Sequence, residues 1–146
     1  MLRPLRLLPI TVLLLLTACN VGPALSVGME CSSRQAADLG IQGACREELD
    51  ELNLDADRTI AIQTIEILPS VTLEVSAEVD EGSLAIGFVD AKGEAVSVTA
   101  EAGSPAQARI ETRLDALNQI TFTLTPGPAG AKGIRYTIEF DCDCLP

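Results

Sequence analysis

The 146-residue chain contains no histidine. That single absence removes Ser-His-Asp and Cys-His nucleophile machinery, HExxH metalloprotease sites and imidazole metal ligands together. Tryptophan is missing too, and one tyrosine and three phenylalanines make up the whole aromatic set. The abundant carboxylates are raw material for glycoside cleavage, but so few rings leave little for a sugar to stack on. No Gly-rich phosphate loop occurs. Basic residues are scarce, ten Lys and Arg against 21 Asp and Glu, and such a surface repels nucleic-acid phosphates and anionic headgroups, which excludes a nucleic-acid partner. The apolar run Leu7–Leu16, interrupted by Pro9 and Thr11, falls far below the ~20 residues of a bilayer-crossing helix.

What the N-terminus does contain is an ordered leader: Arg3 and Arg6, then that short apolar run, then small residues before Cys19. Positive, apolar, small is the order of a secretory signal peptide. Leu16-Thr17-Ala18-Cys19 resembles a bacterial lipobox, with Leu at −3, a small residue at −1 and Cys at +1. Resemblance to that lipoprotein family implies cleavage after Ala18, a thioether-linked diacylglycerol on Cys19 and often an amide-linked third chain. Each buried methylene contributes about 0.8 kcal/mol, so two or three chains make the anchor effectively permanent. Asn20, where an Asp would mark inner-membrane retention in that family, implies the outer membrane of the cell envelope. Loss of residues 1–18 takes both leader arginines away and moves the formal charge from −11 to −13.

Residues 19–30 then read as the lipidated cysteine and a tether, with Gly22, Pro23 and Gly28 and no periodicity. Residues 31–57 read as a short helical segment: Ser32 or Ser33 caps one helix through Leu39 with Gly40 as its stop, and Ala44–Leu54 forms a second with Leu49 and Leu52 on one side. From Arg58 to the end the period becomes two. Ile60 and Ile62 alternate, and Ile65 and Ile67 resume on the opposite parity, which predicts a bulge near Thr64. Val71, Leu73, Val75, Ala77 and Val79 alternate against Thr72, Glu74, Ser76 and Glu78. Leu84, Ile86 and Phe88 are followed by an Asp90-Ala-Lys-Gly93 turn and a return strand at Val96 and Val98. Strands are also expected at Ala106–Leu114, at Ile120, Phe122 and Leu124, and at Ile134, Tyr136, Ile138 and Phe140, with Pro126–Gly133 as a loop. The fold class is therefore mostly β: an antiparallel β-sandwich, jelly-roll or Ig-like, of about seven strands over residues 58–146.

Ser83-Leu-Ala-Ile-Gly-Phe-Val-Asp-Ala-Lys-Gly93, followed by Gly133-Ile-Arg-Tyr-Thr-Ile-Glu-Phe140, resembles bacterial pre-peptidase C-terminal domains. The resemblance implies a small secreted jelly-roll-like sandwich that accompanies enzymes or binds surfaces.

Beyond Cys19 remain Cys31, Cys45, Cys142 and Cys144, an even number for which disulfides are the default in an exported chain. Three connectivities are open. Residues two apart in a strand stand about 6.6 Å apart, at the limit for bridging, so Cys142–Cys144 would be strained. The expected solution sends each of those two to one of Cys31 and Cys45. A Cys₄ zinc site lacks the usual C-x₂₋₄-C knuckles. Thiol exchange at Cys142-Asp-Cys144 is opposed by flanking carboxylates, which raise a thiol's pKa.

The Asp55-Ala-Asp57 pair invites a calcium reading, but an EF-hand loop opened there would need Gly where Ile60 stands. The acidic positions Asp55, Asp57, Asp80, Glu81 and Asp90 are the candidate ligands of a calcium-dependent surface or adhesion module. The leading expectation is instead a non-enzymatic, lipid-anchored accessory protein that binds an envelope protein partner, through loops such as Ala100–Gln107 and Pro126–Gly133. A thiol-disulfide or hydrolytic enzyme is the remaining alternative.

Overall fold

The computed structural model describes residues 29–35, 41–62 and 70–142. The leader, the lipobox with Cys19, Ile65, Ile67 and Cys144 lie outside the described residues. Within them the chain forms eight strands and no helix: β1 (Glu30–Gln35), β2 (Ile41–Leu52), β3 (Ala56–Ala61), β4 (Ser70–Glu78), β5 (Glu81–Val89), β6 (Ala95–Glu101), β7 (Ala106–Arg113) and β8 (Gln119–Cys142). All pairings are antiparallel.

The long strand β8 organises them. Its N-terminal half pairs with β3 on one side and β5 on the other, and β6 completes that group through β5. Its C-terminal half lies between β2 and β4, and β1 and β7 form the outer strands of that group. The change of partners occurs in the segment read as a loop, Pro126–Gly133, which is continuous strand instead. Its composition still has a local effect. Between the pairs Leu84↔Pro126 and Gly82↔Ala131 only Ser83 of β5 faces four residues of β8, a wide irregularity of the kind that bends a strand. Gly82 has φ +78°, and a Cβ there would lie 2.0 Å from the Gly130 carbonyl oxygen, so the corner closes only with glycine.

The bend brings residues from the two halves of β8 into contact within one eight-stranded sheet. The Phe122 and Tyr136 rings meet edge-on with centroids 6.0 Å apart, although fourteen residues of straight strand would separate them by about 46 Å. Phe88 stacks on Phe122 with centroids 5.4 Å apart. Around these rings the alternating residues of both groups form one apolar cluster: Val71, Leu73 and Val75 of β4, Leu84 and Ile86 of β5, and Ile60, Ile120, Leu124, Ile134 and Ile138 are all fully or almost fully buried. These are the positions that period two selected.

The N-terminal expectation is corrected. Residues 31–35 and 41–52 are strands, not helices, and the described fold begins at Met29, which packs into the core instead of lying in a tether. In β2, Cys45, Glu47 and Leu49 point inward while Arg46, Glu48 and Asp50 are exposed. Helix-favouring residues of β2 are held extended by β8, which pairs Glu47, Glu48 and Leu52, and at Ala44 by β1 as well, which overrides propensity. The cystine expectation is corrected as well. Cys31 bonds to Cys45, directly opposite in the β1–β2 register, with Cα atoms 4.1 Å apart. Adjacent antiparallel strands bring these two within bridging range, whereas β8 places Cys142 opposite Ile41, four positions along β2 from Cys45, which faces Ile138.

Candidate functional site

The face of β1, β2, β8, β4 and β7 turned away from the core carries the charged side chains. One row across it runs Ser32, Ala44, Glu139, Glu74, Arg109, and the next runs Gln42, Asp141, Thr72, Glu111. A groove of about 580 Å³ crosses these rows, with Glu74, Glu139, Asp141 and Arg109 among its lining residues. Glu74 and Glu139 stand directly opposite on neighbouring strands, an arrangement of like charges that costs stability unless something cationic approaches. A second groove of about 540 Å³ extends along the same face past Arg46, Glu48, Ser76 and Glu78.

The other outward face, on β3, the first half of β8, β5 and β6, differs sharply. Thr59, Thr121, Thr123, Ala85, Gly87, Ser97 and Thr99 fall at its outward register positions. Apart from Asp57, Glu101 and the exposed Val89, these register positions carry small uncharged groups.

One charged group lies inside the fold. The Glu47 side chain is 3% exposed and receives Arg58 Nε on Oε2 at 2.9 Å and Arg58 Nη2 on Oε1 at 3.1 Å. The Tyr136 hydroxyl donates to the same Oε2. Burial, then the bond to Glu47, holds the Tyr136 hydroxyl well above the usual phenol range. The bond to Glu47 likewise raises the Arg58 guanidinium. Among the described residues no buried side-chain polar atom lacks a partner, and this cluster fastens β2, β3 and β8.

The acidic positions singled out from the sequence do not converge. Asp55 lies in the exposed turn between β2 and β3. Asp57 accepts the Thr123 hydroxyl at 2.7 Å. Asp80 is clasped by Arg135, at 2.8 Å from Nη2 and 3.3 Å from Nη1, which holds its carboxyl below the ordinary range. Glu81 pairs with Lys132 at 2.9 Å and raises its ammonium. Asp90 Oδ1 accepts the backbone N–H groups of Lys92 and Glu94, closing the β5–β6 turn in which Gly93 takes φ +87°. Among the described residues no three His, Cys, Asp or Glu side chains are grouped to hold a metal. Of the cysteines, Cys31 and Cys45 are bonded to each other, Cys142 closes β8 with its side chain outside the described part, and Cys19 and Cys144 lie beyond it. Sequence reading missed Glu47. Its only trace was a break in the alternation of Ile41, Cys45 and Leu49.

No family model matches the chain, and no curated protein does. Several solved structures are similar, among them three at low identity. These three are an oxalate oxidase in complex with the substrate analogue glycolate (TM-score 0.38, 11% identity over 78% of this chain), an arabinose-bound α-L-arabinofuranosidase (0.39, 13%, 86%) and the enzymatically active domain of a bacteriophage tailspike protein (0.34, 15%, 79%). This chain spans 50%, 24% and 18% of those chains, respectively.

Proposed function

We propose that this protein is a lipid-anchored constituent of a bacterial envelope, held in the outer membrane through Cys19 and acting without catalysis as a binding module for another envelope protein. The Cys31–Cys45 disulfide carries this reading, because such bonds persist in oxidising compartments, to which a lipobox leader delivers a chain. Fold and resemblance are consistent with it: the two strand groups facing each other across one core are read as the layers of an antiparallel sandwich, in keeping with the accessory role of pre-peptidase C-terminal domains.

The groove around Glu74 and Glu139 is the proposed contact surface, together with the exposed connection between β6 and β7. Strands fix its side chains in place, so a partner meets a preorganised surface and loses little of its binding energy to ordering. Met29 belongs to the core and follows Cys19 by ten positions, a reach of at most about 36 Å. A partner therefore lies close to the membrane.

Cys19→Ala should move the protein from the membrane fraction to the soluble fraction and abolish incorporation of labelled fatty acid. A photocrosslinking residue at Thr72, in the groove, should capture one stoichiometric envelope protein, and Glu139→Lys should weaken that capture. Unchanged fractionation would refute the anchor, and absence of any crosslinked partner would refute the binding role.

A further inference from the structure

The strand β6 ends its sheet, and its free side is fully specified by the hydrogen bonds on the other side. Asp90 N donates to the Glu94 carbonyl and Ala102 N to the Gly82 carbonyl, and the β5–β6 register between them runs without a slip. Hydrogen-bonded pairs alternate along an antiparallel ladder, so Val96, Val98 and Ala100 direct their backbone groups at β5. The N–H and C=O groups of Ala95, Ser97 and Thr99 therefore point away from it, and their side chains are exposed. Glu101 fits the same phase, since its outward N–H is taken by Ser104 of its own turn.

Natural sheets protect such edges with charge, proline, bulges or a covering segment. The other three terminal strands show such devices: β3 carries Asp57 and Arg58, β1 carries Glu30, and β7 carries Arg109, Glu111 and Arg113, with the Glu111 carbonyl also accepting Ala91 N–H. In β6 the sequence Ala-Val-Ser-Val-Thr-Ala holds no charge, no proline and no lysine before Glu101.

We propose that β6 is a pairing edge between two copies of this chain, running antiparallel about a twofold axis at Val98. That register sets Ser97 against Thr99 of the second copy and Thr99 against its Ser97, each pair exchanging both backbone bonds. The paired stretch ends before Glu101, whose outward side is occupied by Ser104 of its own turn. Over Ser97–Thr99 the edge is self-complementary in backbone phase and in hydroxyl pairing, and this selects a second copy over a foreign strand. The proposal does not depend on the groove or on its partner.

The full-length protein with Ser97→Cys and Thr99→Cys together, oxidised mildly in native membranes, should form disulfide-linked dimers. Either single change places its thiols only on the diagonal of the pairing, at about 7–8 Å. The double variant should therefore exceed both singles, and the native cysteines alone, by about tenfold in dimer yield. In density-matched detergent the unmodified protein should sediment as a dimer. Ser97→Pro removes one outward N–H without touching the β5 ladder, and Thr99→Lys adds charge without backbone constraint; both should sediment as monomers with unchanged melting. A monomeric unmodified protein, equal yields from single and double variants, a dimer persisting in Ser97→Pro and Thr99→Lys, or thiols at β6 capturing a different protein would each overturn the proposal.

Discussion

Arg58 grips Glu47 with two parallel bonds, Nε to Oε2 at 2.9 Å and Nη2 to Oε1 at 3.1 Å, one partner almost wholly enclosed and the other 20% exposed. The planar fork of arginine fits a carboxylate in this manner and lysine does not. The pair joins β2 to β3, strands that meet only through β8 in the ladder.

Arg58→Ala leaves a buried carboxylate with only the Tyr136 hydroxyl as its partner. A loss of about 3–5 kcal/mol of unfolding free energy is expected, measured by urea titration. Changing all three members together, Glu47→Leu with Arg58→Met and Tyr136→Phe, removes the charge and its orphaned partners at once. That variant should lie within about 2 kcal/mol of the parent, because isosteric apolar replacement of a buried pair is often neutral. A triple variant as damaged as Arg58→Ala would show that shape, not charge, governs this corner.

Tyr136 is the chain's single tyrosine, so tyrosinate absorbance reports one group. Its hydroxyl is raised, first by burial and then by its bond to Glu47. A group whose folded value exceeds its unfolded value stabilises the fold fully below the unfolded value, near pH 10, and that contribution declines as pH climbs beyond it. Absorbance should therefore stay flat through pH 10 and rise only together with loss of native β-structure circular dichroism. Tyrosinate appearing near pH 10 in a still-folded protein would contradict the burial of this ring.

Cys31 and Cys45 are fourteen residues apart in sequence. In the chain-entropy account, closing a loop of that size contributes about 3 kcal/mol. The double variant Cys31→Ser with Cys45→Ala should lose about that much, read from the denaturation midpoint at constant slope. Trypsin cleaves after Arg34 and Arg46, so the unreduced digest should hold a linked pair of peptides that separates on reduction. A Cys45 peptide linked to one carrying Cys142 or Cys144 would restore the connectivity that sequence reasoning favoured.

That connectivity illustrates where the sequence was legible. The strand β4 alternates so cleanly that its core face, Val71 to Ala77, follows from period two alone, and the Asp90–Gly93 turn follows from Asp and Gly chemistry. The strand β2 was hidden because two of its inward positions do not look like core. Glu47 is charged, and Gly43 has no side chain because the Phe140 ring fills the space, 2.2 Å from where a Cβ would stand. Arg58 is eleven positions from Glu47, but Tyr136 is 89 away and Phe140 is on the same distant strand, beyond any local window. Misreading β2 as helix removed the strand pair on which Cys31 and Cys45 face each other, and the cystine error followed. The groove was out of reach for the same reason, since Glu74 and Glu139 meet only through the β4–β8 register.

The carboxylates once considered for calcium supply the last expectation. Calcium needs six to eight oxygen ligands, whereas Asp57, Asp80, Glu81 and Asp90 are each engaged by a hydroxyl, a guanidinium, an ammonium or backbone N–H groups. Recruiting them would sacrifice those bonds and draw together residues from separate turns. A site saturated tenfold above its dissociation constant would add about 1.4 kcal/mol, enough to raise the melting temperature by several degrees in a domain of this size. Melting in millimolar calcium and in excess chelator should instead coincide. A rise confined to calcium, and lost in Asp80→Asn or Asp90→Asn, would show that these acids gather around an ion when one is present.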